Sequence, residues 1–196
     1  TSPTELVHRA DYALYQSKRQ HRGGATAFTE AHSAMLNRES MVEQSLRSAD
    51  LGSELRVMFQ PVIDIRTEQP VGFEALARWS SPALGPVSPA EFIPIAERAG
   101  IVSRLTSALL AQSLDIARTW PKDLRLAFNL SAHDLSSDDS LLRIAAIVAR
   151  SGFPAERIEL EITETAFIFD PQQVQNAVQF LRDLGCGVAI DDFGTG

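Results

Sequence analysis

Val71-Gly72-Phe73-Glu74-Ala75-Leu76-Ala77-Arg78-Trp79 is the stretch whose reading decides the fold. Side chains of an extended strand alternate between two faces. On that period Val71, Phe73, Ala75, Ala77 and Trp79 share an apolar face, while Glu74, Leu76 and Arg78 share the other. An acid and a base on one face of so apolar a strand form either a satisfied Glu–Arg pair inside a sheet or part of a site. Three later strands repeat the pattern, each with an apolar face and a metal-type ligand opposite it, and this favours a site.

Working outward, 57–65 is rich in β-branched residues, and the polar turn 66–70 is too short for a crossover helix. The two strands are therefore expected to form an antiparallel hairpin. Downstream, Ser88-Pro89-Ala90-Glu91 combines a capping serine, a proline at the first helical position and a glutamate at the third, which marks a helix start. That helix runs toward Gly100, with Pro94 expected to bend it. A second helix over 101–120 places Leu105, Leu109, Ile116 and Trp120 on one stripe. Strands are expected at 124–131, 157–163 and 187–191, with helices at 139–150 and after Asp170-Pro171-Gln172-Gln173. The last helix buries Val174, Ala177, Val178, Leu181 and Leu184 and ends at Gly185. Strand–helix–strand alternation of this kind predicts an α/β fold, a parallel sheet covered by helices.

Composition narrows the function. The 196 residues are 44% hydrophobic and 22% charged, as in a globular protein, with a net charge of −7 that disfavours binding a DNA or RNA polymer. Binding an anionic phosphate ester would then require cations to supply the missing positive charge. The single Cys186 fits a reducing compartment and reads as a small buried apolar side chain. No apolar run reaches the ~20 residues of a membrane span, and residues 1–9 contain no signal-peptide core. These features predict a cytoplasmic fragment without membrane contact, although upstream regions could be anchored.

The alternation converges on one polar face. In 124–131, Leu126, Phe128 and Leu130 oppose Asn129; in 157–163, Ile158, Leu160 and Ile162 oppose Glu159, Glu161 and Thr163. In 187–191, Val188 and Ile190 oppose Asp191. With Glu74, each strand thus carries a carboxylate or carboxamide near its C-terminal end. In a (β/α) barrel that face is the lumen, and active sites are built at its C-terminal rim. Glu74, Asn129, Glu161, Asp191 and the adjacent Asp192 are all oxygen donors, with no His and no Cys pair among them. Such a set selects Mg²⁺, Mn²⁺ or Ca²⁺. Carboxylates crowded this way would take up protons unless divalent cations compensated them. Consecutive aspartates suit two ions, as in-line phosphoryl displacement often uses. A rim salt bridge remains the alternative for any single acid.

These residues fall in motifs that resemble the EAL domain, the family of cyclic di-GMP phosphodiesterases. The motifs, in order, are Phe59-Gln60-Pro61, Glu74-Ala75-Leu76 with Ala77-Arg78-Trp79, and Phe92-Ile93-Pro94 with Ala96-Glu97. They continue with Asn129-Leu130-Ser131, Glu161-Ile162-Thr163-Glu164 and Asp191-Asp192-Phe193-Gly194-Thr195-Gly196. The resemblance implies a TIM-type (β/α) barrel with an antiparallel first strand. It implies metal ligation by Glu74, Asn129, Glu161, Asp191 and Asp192, with Mg²⁺ or Mn²⁺ as the ions. It also implies dinucleotide contacts from Gln60, Leu76 and Arg78, the last through a phosphate, and a role for Glu164 in steadying the loop that starts at Asp192. Glu74, Asp191, Asp192 and Glu164 form the catalytic set it implies. Hydrolysis of cyclic di-GMP to linear pGpG is the expected activity of the complete protein, with a non-catalytic receptor or an interaction module as alternatives.

About five strands are expected here, too few to close an eight-stranded barrel of typically ~250 residues, so the chain reads as an incomplete barrel that is inactive alone. Upstream, Ala10-Asp11-Tyr12-Ala13-Leu14-Tyr15-Gln16-Ser17-Lys18 resembles the last helix of a GGDEF (diguanylate cyclase) domain. The signature Gly-Gly-Asp-Glu-Phe loop is absent, so the resemblance implies only a domain remnant over 1–30. A linker helix is expected over 31–54, with surplus apolar positions that could support a homodimer, and the phosphodiesterase domain over 55–196.

Overall fold

The computed structural model describes Val7, Ala10, Leu14, Ser17 and residues 27–167 and 170–191. Most of the GGDEF-like stretch, and Asp192 with the residues after it, lie outside these. The chain forms two compact units, residues 1–44 and 45–196. Helix α1 (Glu30–Ser48) contributes to both, and Thr29 caps its start by accepting from the His32 amide at 3.4 Å.

The second unit is an α/β sheet flanked by helices. A short helix α2 (Leu51–Glu54) leads into β1 (Leu55–Asp64) and β2 (Gln69–Ser81), which pair antiparallel as the short turn between them requires. A brief strand β3 (Gly85–Val87) folds back on the end of β2. Its three residues pair with the end of β2 as Gly85–Ser81, Pro86–Ser80 and Val87–Trp79. Helices α3 (Pro89–Arg98) and α4 (Val102–Ala117) follow, then β4 (Arg125–Leu130), α5 (Ala132–Leu135) and α6 (Asp138–Ser151). Strand β5 (Ile158–Thr163), a 3₁₀ turn (Glu164–Phe167), α7 (Pro171–Asp183) and β6 (Gly187–Asp191) complete the unit. Among the described residues the sheet has six strands in the order β1-β2-β4-β5-β6, with β3 beside β2. From β2 onward along that order the strands run parallel, and the sheet does not close.

The helix boundaries follow from local chemistry. Asp170 caps α7, accepting from the Gln173 amide at 3.0 Å, with Pro171 at the first helical position. Ser88 occupies the equivalent place before α3 in extended backbone, yet its hydroxyl makes no capping bond, so Pro89 sets that start. Pro94 sits inside α3. Gly152 ends α6 at φ 71°, a left-handed conformation that glycine adopts without strain.

The apolar face carries the core. Leu126, Ile158, Leu160 and Ile162 are each at most 1% exposed. Helix α4 packs on β1 and β4, α7 on β6, and α6 against both helices. Each such fully buried side chain contributes ~1.5–3 kcal/mol of hydrophobic stabilisation. Trp120 closes the end near the β1–β2 hairpin, with ring centroids 5.0 Å from both Phe59 and Phe73. Cys186 is buried, and burial pushes its thiol up to about 11.

Candidate functional site

The strand register determines which polar side chains meet. Glu74 lies level with Ala127, Glu159 and Gly187 across the parallel sheet. Asn129, Glu161 and Ala189 form the next row on the same face, and Thr163 and Asp191 the row beyond. Small residues at 127, 187 and 189 leave room among the acids. Gly72, one row below Glu74, permits a close backbone approach: a Cβ there would stand 2.7 Å from the Arg125 carbonyl oxygen.

Four of the five donors expected from the sequence are therefore gathered at the C-terminal end of the sheet, on the face away from the helices. Asn129 Nδ2 donates to Glu74 Oε1 at 2.8 Å. Glu161 is pushed up to about 7, chiefly by burial and then by the charges of Glu74, Asp191 and Glu159. Among the described residues no three His, Cys, Asp or Glu side chains are already placed to hold an ion. The expected set needs the Asn129 carboxamide and Asp192, and Asp192 lies outside the described residues. The donor chemistry nonetheless fits a divalent cation: the set is all oxygen, and the charges of Glu74 and Asp191 add to burial in raising Glu161, so added positive charge would relieve the cluster. Arg125 stands 3.9 Å from Glu159, an exposed pair of little energetic weight.

The expected substrate contacts lie beside the acids. Gln60 pairs across the β1–β2 ladder with Glu74, so the two share a face, and Gln60 is exposed. Leu76 and Arg78 line a cavity of about 300 Å³ together with Asn129, Ser131, Thr163 and Glu97. Arg78 is exposed and donates to the Ala77 carbonyl at 2.7 Å. Glu164 opens the 3₁₀ turn that follows β5, directly after Thr163.

The sequence reading left two residues near this cavity without a role. Glu97 is raised above the usual carboxylate range, first by burial and further by Asp134, with His133 and Arg98 acting the other way. Asp134 is fully buried in α5, just past the end of β4, where it forms a capping box with Ser131. The Ser131-x-x-Asp134 spacing is a helix-start pattern that could have revealed α5.

A sheet of this topology with acids gathered at its strand ends belongs to the α/β class of barrel-type proteins that build sites from strand termini. Residues 43–196 match the EAL domain, and the chain belongs to the EAL domain family. It is 39% identical over 155 residues to the cyclic di-GMP phosphodiesterase PA2567 of Pseudomonas aeruginosa, covering 76% of this chain and 26% of that one. It is 32% identical over 200 residues to the biofilm architecture maintenance protein MbaA of Vibrio cholerae, covering 98% of this chain and 24% of that one. Among solved structures it resembles the phosphodiesterase PaMucR in complex with c-di-GMP, with a TM-score of 0.74 and 28% identity over 80% of this chain and 65% of that one. The c-di-GMP-bound EAL domain of FimX from Pseudomonas aeruginosa gives a TM-score of 0.67 at 25% identity, over 80% and 62% of the two chains. These likenesses identify the open sheet as part of a TIM-like barrel fold. The chain spans about a quarter of the length of the curated relatives it matches.

Proposed function

We propose that the protein of which this chain is a part hydrolyses cyclic di-GMP to linear pGpG with the help of divalent cations, Mg²⁺ or Mn²⁺ and two in number. The observation that carries this reading is the convergence of Glu74, Asn129, Glu161 and Asp191 from four strands, with Glu161 pushed up to about 7 by burial and then by its acidic neighbours. Together with Asp192 they would be the ligands. When bound, such ions would supply the charge that activates a water and offsets the negative charge of an in-line displacement.

This chain's own residues do the rest. Asn129 orients the Glu74 carboxylate through its 2.8 Å hydrogen bond. The Arg78 guanidinium holds a phosphate of the substrate, a pairing suited to two parallel charge-assisted bonds. Gln60 and Leu76 contact the dinucleotide from the β1–β2 side of the acids, and Glu164 steadies the segment that begins at Asp192. In the reaction water oxygen bonds to phosphorus, the ribose 3′ oxygen leaves and takes up a proton, and one of the two diester bonds opens. The net negative charge of the chain agrees with cations, rather than a basic surface, receiving this anionic substrate.

Residues 1–30 are on this reading the remnant of a GGDEF domain, 31–54 a linker helix that could support a homodimer, and 55–196 the N-terminal part of the phosphodiesterase domain. Among the described residues no helix is long and apolar enough to cross a membrane, and a cytoplasmic site of action fits a cyclic dinucleotide signal. Incubation of the complete protein with cyclic di-GMP and Mn²⁺ tests the proposal. Conversion to pGpG is the expected result; tight binding without conversion would make the protein a receptor and overturn the enzymatic reading.

A further inference from the structure

Asp134 is 0% exposed and collects donors from three elements. Its Oδ2 accepts from Ser131 Oγ at 2.8 Å, from the Ser131 amide at 3.2 Å and from Thr106 Oγ1 on α4 at 2.8 Å. Its Oδ1 accepts from Ser140 Oγ on α6 at 2.9 Å. The Asp134 amide in turn donates to Ser131 Oγ at 3.2 Å. Burying a carboxyl group is costly unless its oxygens are bonded, and here they are. An apolar side chain would pack the same space without that requirement, so what the acid adds is direction.

We propose that Asp134 is a positioning residue: it fixes the Leu130–Ser131 end of β4 and thereby aims the Asn129 carboxamide at Glu74. This rests on reading Asn129 and Glu74 as cation ligands. The β2–β4 ladder ends at the Ala75–Phe128 pair, one residue before Asn129. Asn129, just past that pair, reaches back through its side chain to Glu74, which lies within the ladder opposite Ala127. Strand β5 holds the other edge of β4 as far as Leu130, where the ladder also stops. Ser131 is thus the first residue past both ladders, and its amide and hydroxyl both go to Asp134. The four-residue helix α5 is too short to be stable by itself. Anchorage to Thr106 and Ser140 transmits the rigidity of α4 and α6 to the strand end.

The test titrates Mn²⁺ into the metal-free complete protein and follows the paramagnetic resonance of the free ion, a readout that needs no turnover. Asp134→Ala is expected to weaken Mn²⁺ binding at least tenfold. Asp134→Asn, which keeps an acceptor for the Ser131 amide, should stay within about threefold of the parent. Ser113→Ala removes another buried hydroxyl on α4, two turns along the helix from Thr106, one that donates to the Leu109 carbonyl at 2.7 Å. It should lower thermal stability and leave Mn²⁺ affinity unchanged, separating aim from general loosening. Mn²⁺ affinity within twofold of the parent in Asp134→Ala, with Asn129→Ala strongly weakened, would overturn the positioning role alone. Unchanged affinity in Asn129→Ala would instead overturn the ligand reading beneath it. Should Asp134→Ala fail to fold, Thr106→Val and Ser131→Ala each remove one donor, and unchanged affinity in both would refute the proposal.

Discussion

The two faces of one sheet obey opposite rules. On β5, Ile158, Leu160 and Ile162 are at most 1% exposed beneath the helices, while Glu159, Glu161 and Thr163 alternate with them on the open face. One face gains free energy by leaving water. The other half-buries an acid among like charges, and burial first, then those charges, push Glu161 up to about 7. The same six residues therefore serve stability through one set of side chains and, on our reading, cation binding through the other. An acid half-buried among other acids is not there to hold the fold together, and its cost is offset by the core behind it.

The sharpest way to break this comparison is to change one face and watch both properties. Glu161→Gln should lower turnover of cyclic di-GMP by at least ~10²-fold, since even outer partners of metal ligands cost 10–100-fold when removed. The same variant should fold as well as the parent, by thermal melting in metal-free buffer. Leu160→Ala, on the reverse face of that strand, should cost ~2–5 kcal/mol in denaturant titrations through the cavity it leaves. It should spare Mn²⁺ affinity wherever the protein remains folded. Gly72→Ala should destabilise by ~1–3 kcal/mol, because the added methyl meets backbone rather than a movable side chain.

A smaller effect sharpens the contrast through pH. The folded state raises the Glu161 carboxyl from 4.5 to about 7, so it holds that proton more tightly than the unfolded chain does. The stabilisation from this group is full below pH 4.5 and is lost as pH rises toward 7. The metal-free protein should therefore lose stability across that interval, and Glu161→Gln should flatten the loss. Mn²⁺ affinity should change in the opposite sense, strengthening as pH rises through 7. The smallest expected effect is local. Asp170→Ala should cost ~1 kcal/mol through the lost cap of α7, measured by chemical denaturation, without altering Mn²⁺ binding.

Much of this was legible in the sequence because period-two alternation is a strong signal where one face is buried. The polar rows of β4, β5 and β6 follow from Asn129, Glu161 and Asp191 alone, and the β1–β2 hairpin follows from a turn too short for anything else. What escaped depends on contacts between segments distant in sequence. Strand β3 exists because Gly85, Pro86 and Val87 pair with Ser81, Ser80 and Trp79, although Gly and Pro are depleted in strands. The role of Gly72 requires knowing that Arg125 lies beside it. Asp134 looks like a surface acid in a polar stretch, and only Thr106 and Ser140, 28 and 6 residues away, make it a buried hub. Ser88 teaches the converse, since a well-placed capping residue left its bond unmade.

The most direct test of the central claim is a crystal structure of the complete protein grown with Mn²⁺, read by anomalous scattering. The account predicts two peaks at the strand ends, within coordination distance of Glu74, Asn129, Glu161 and Asp191. Mn²⁺ bound elsewhere, or those four side chains engaged with one another and no ion among them, would contradict it.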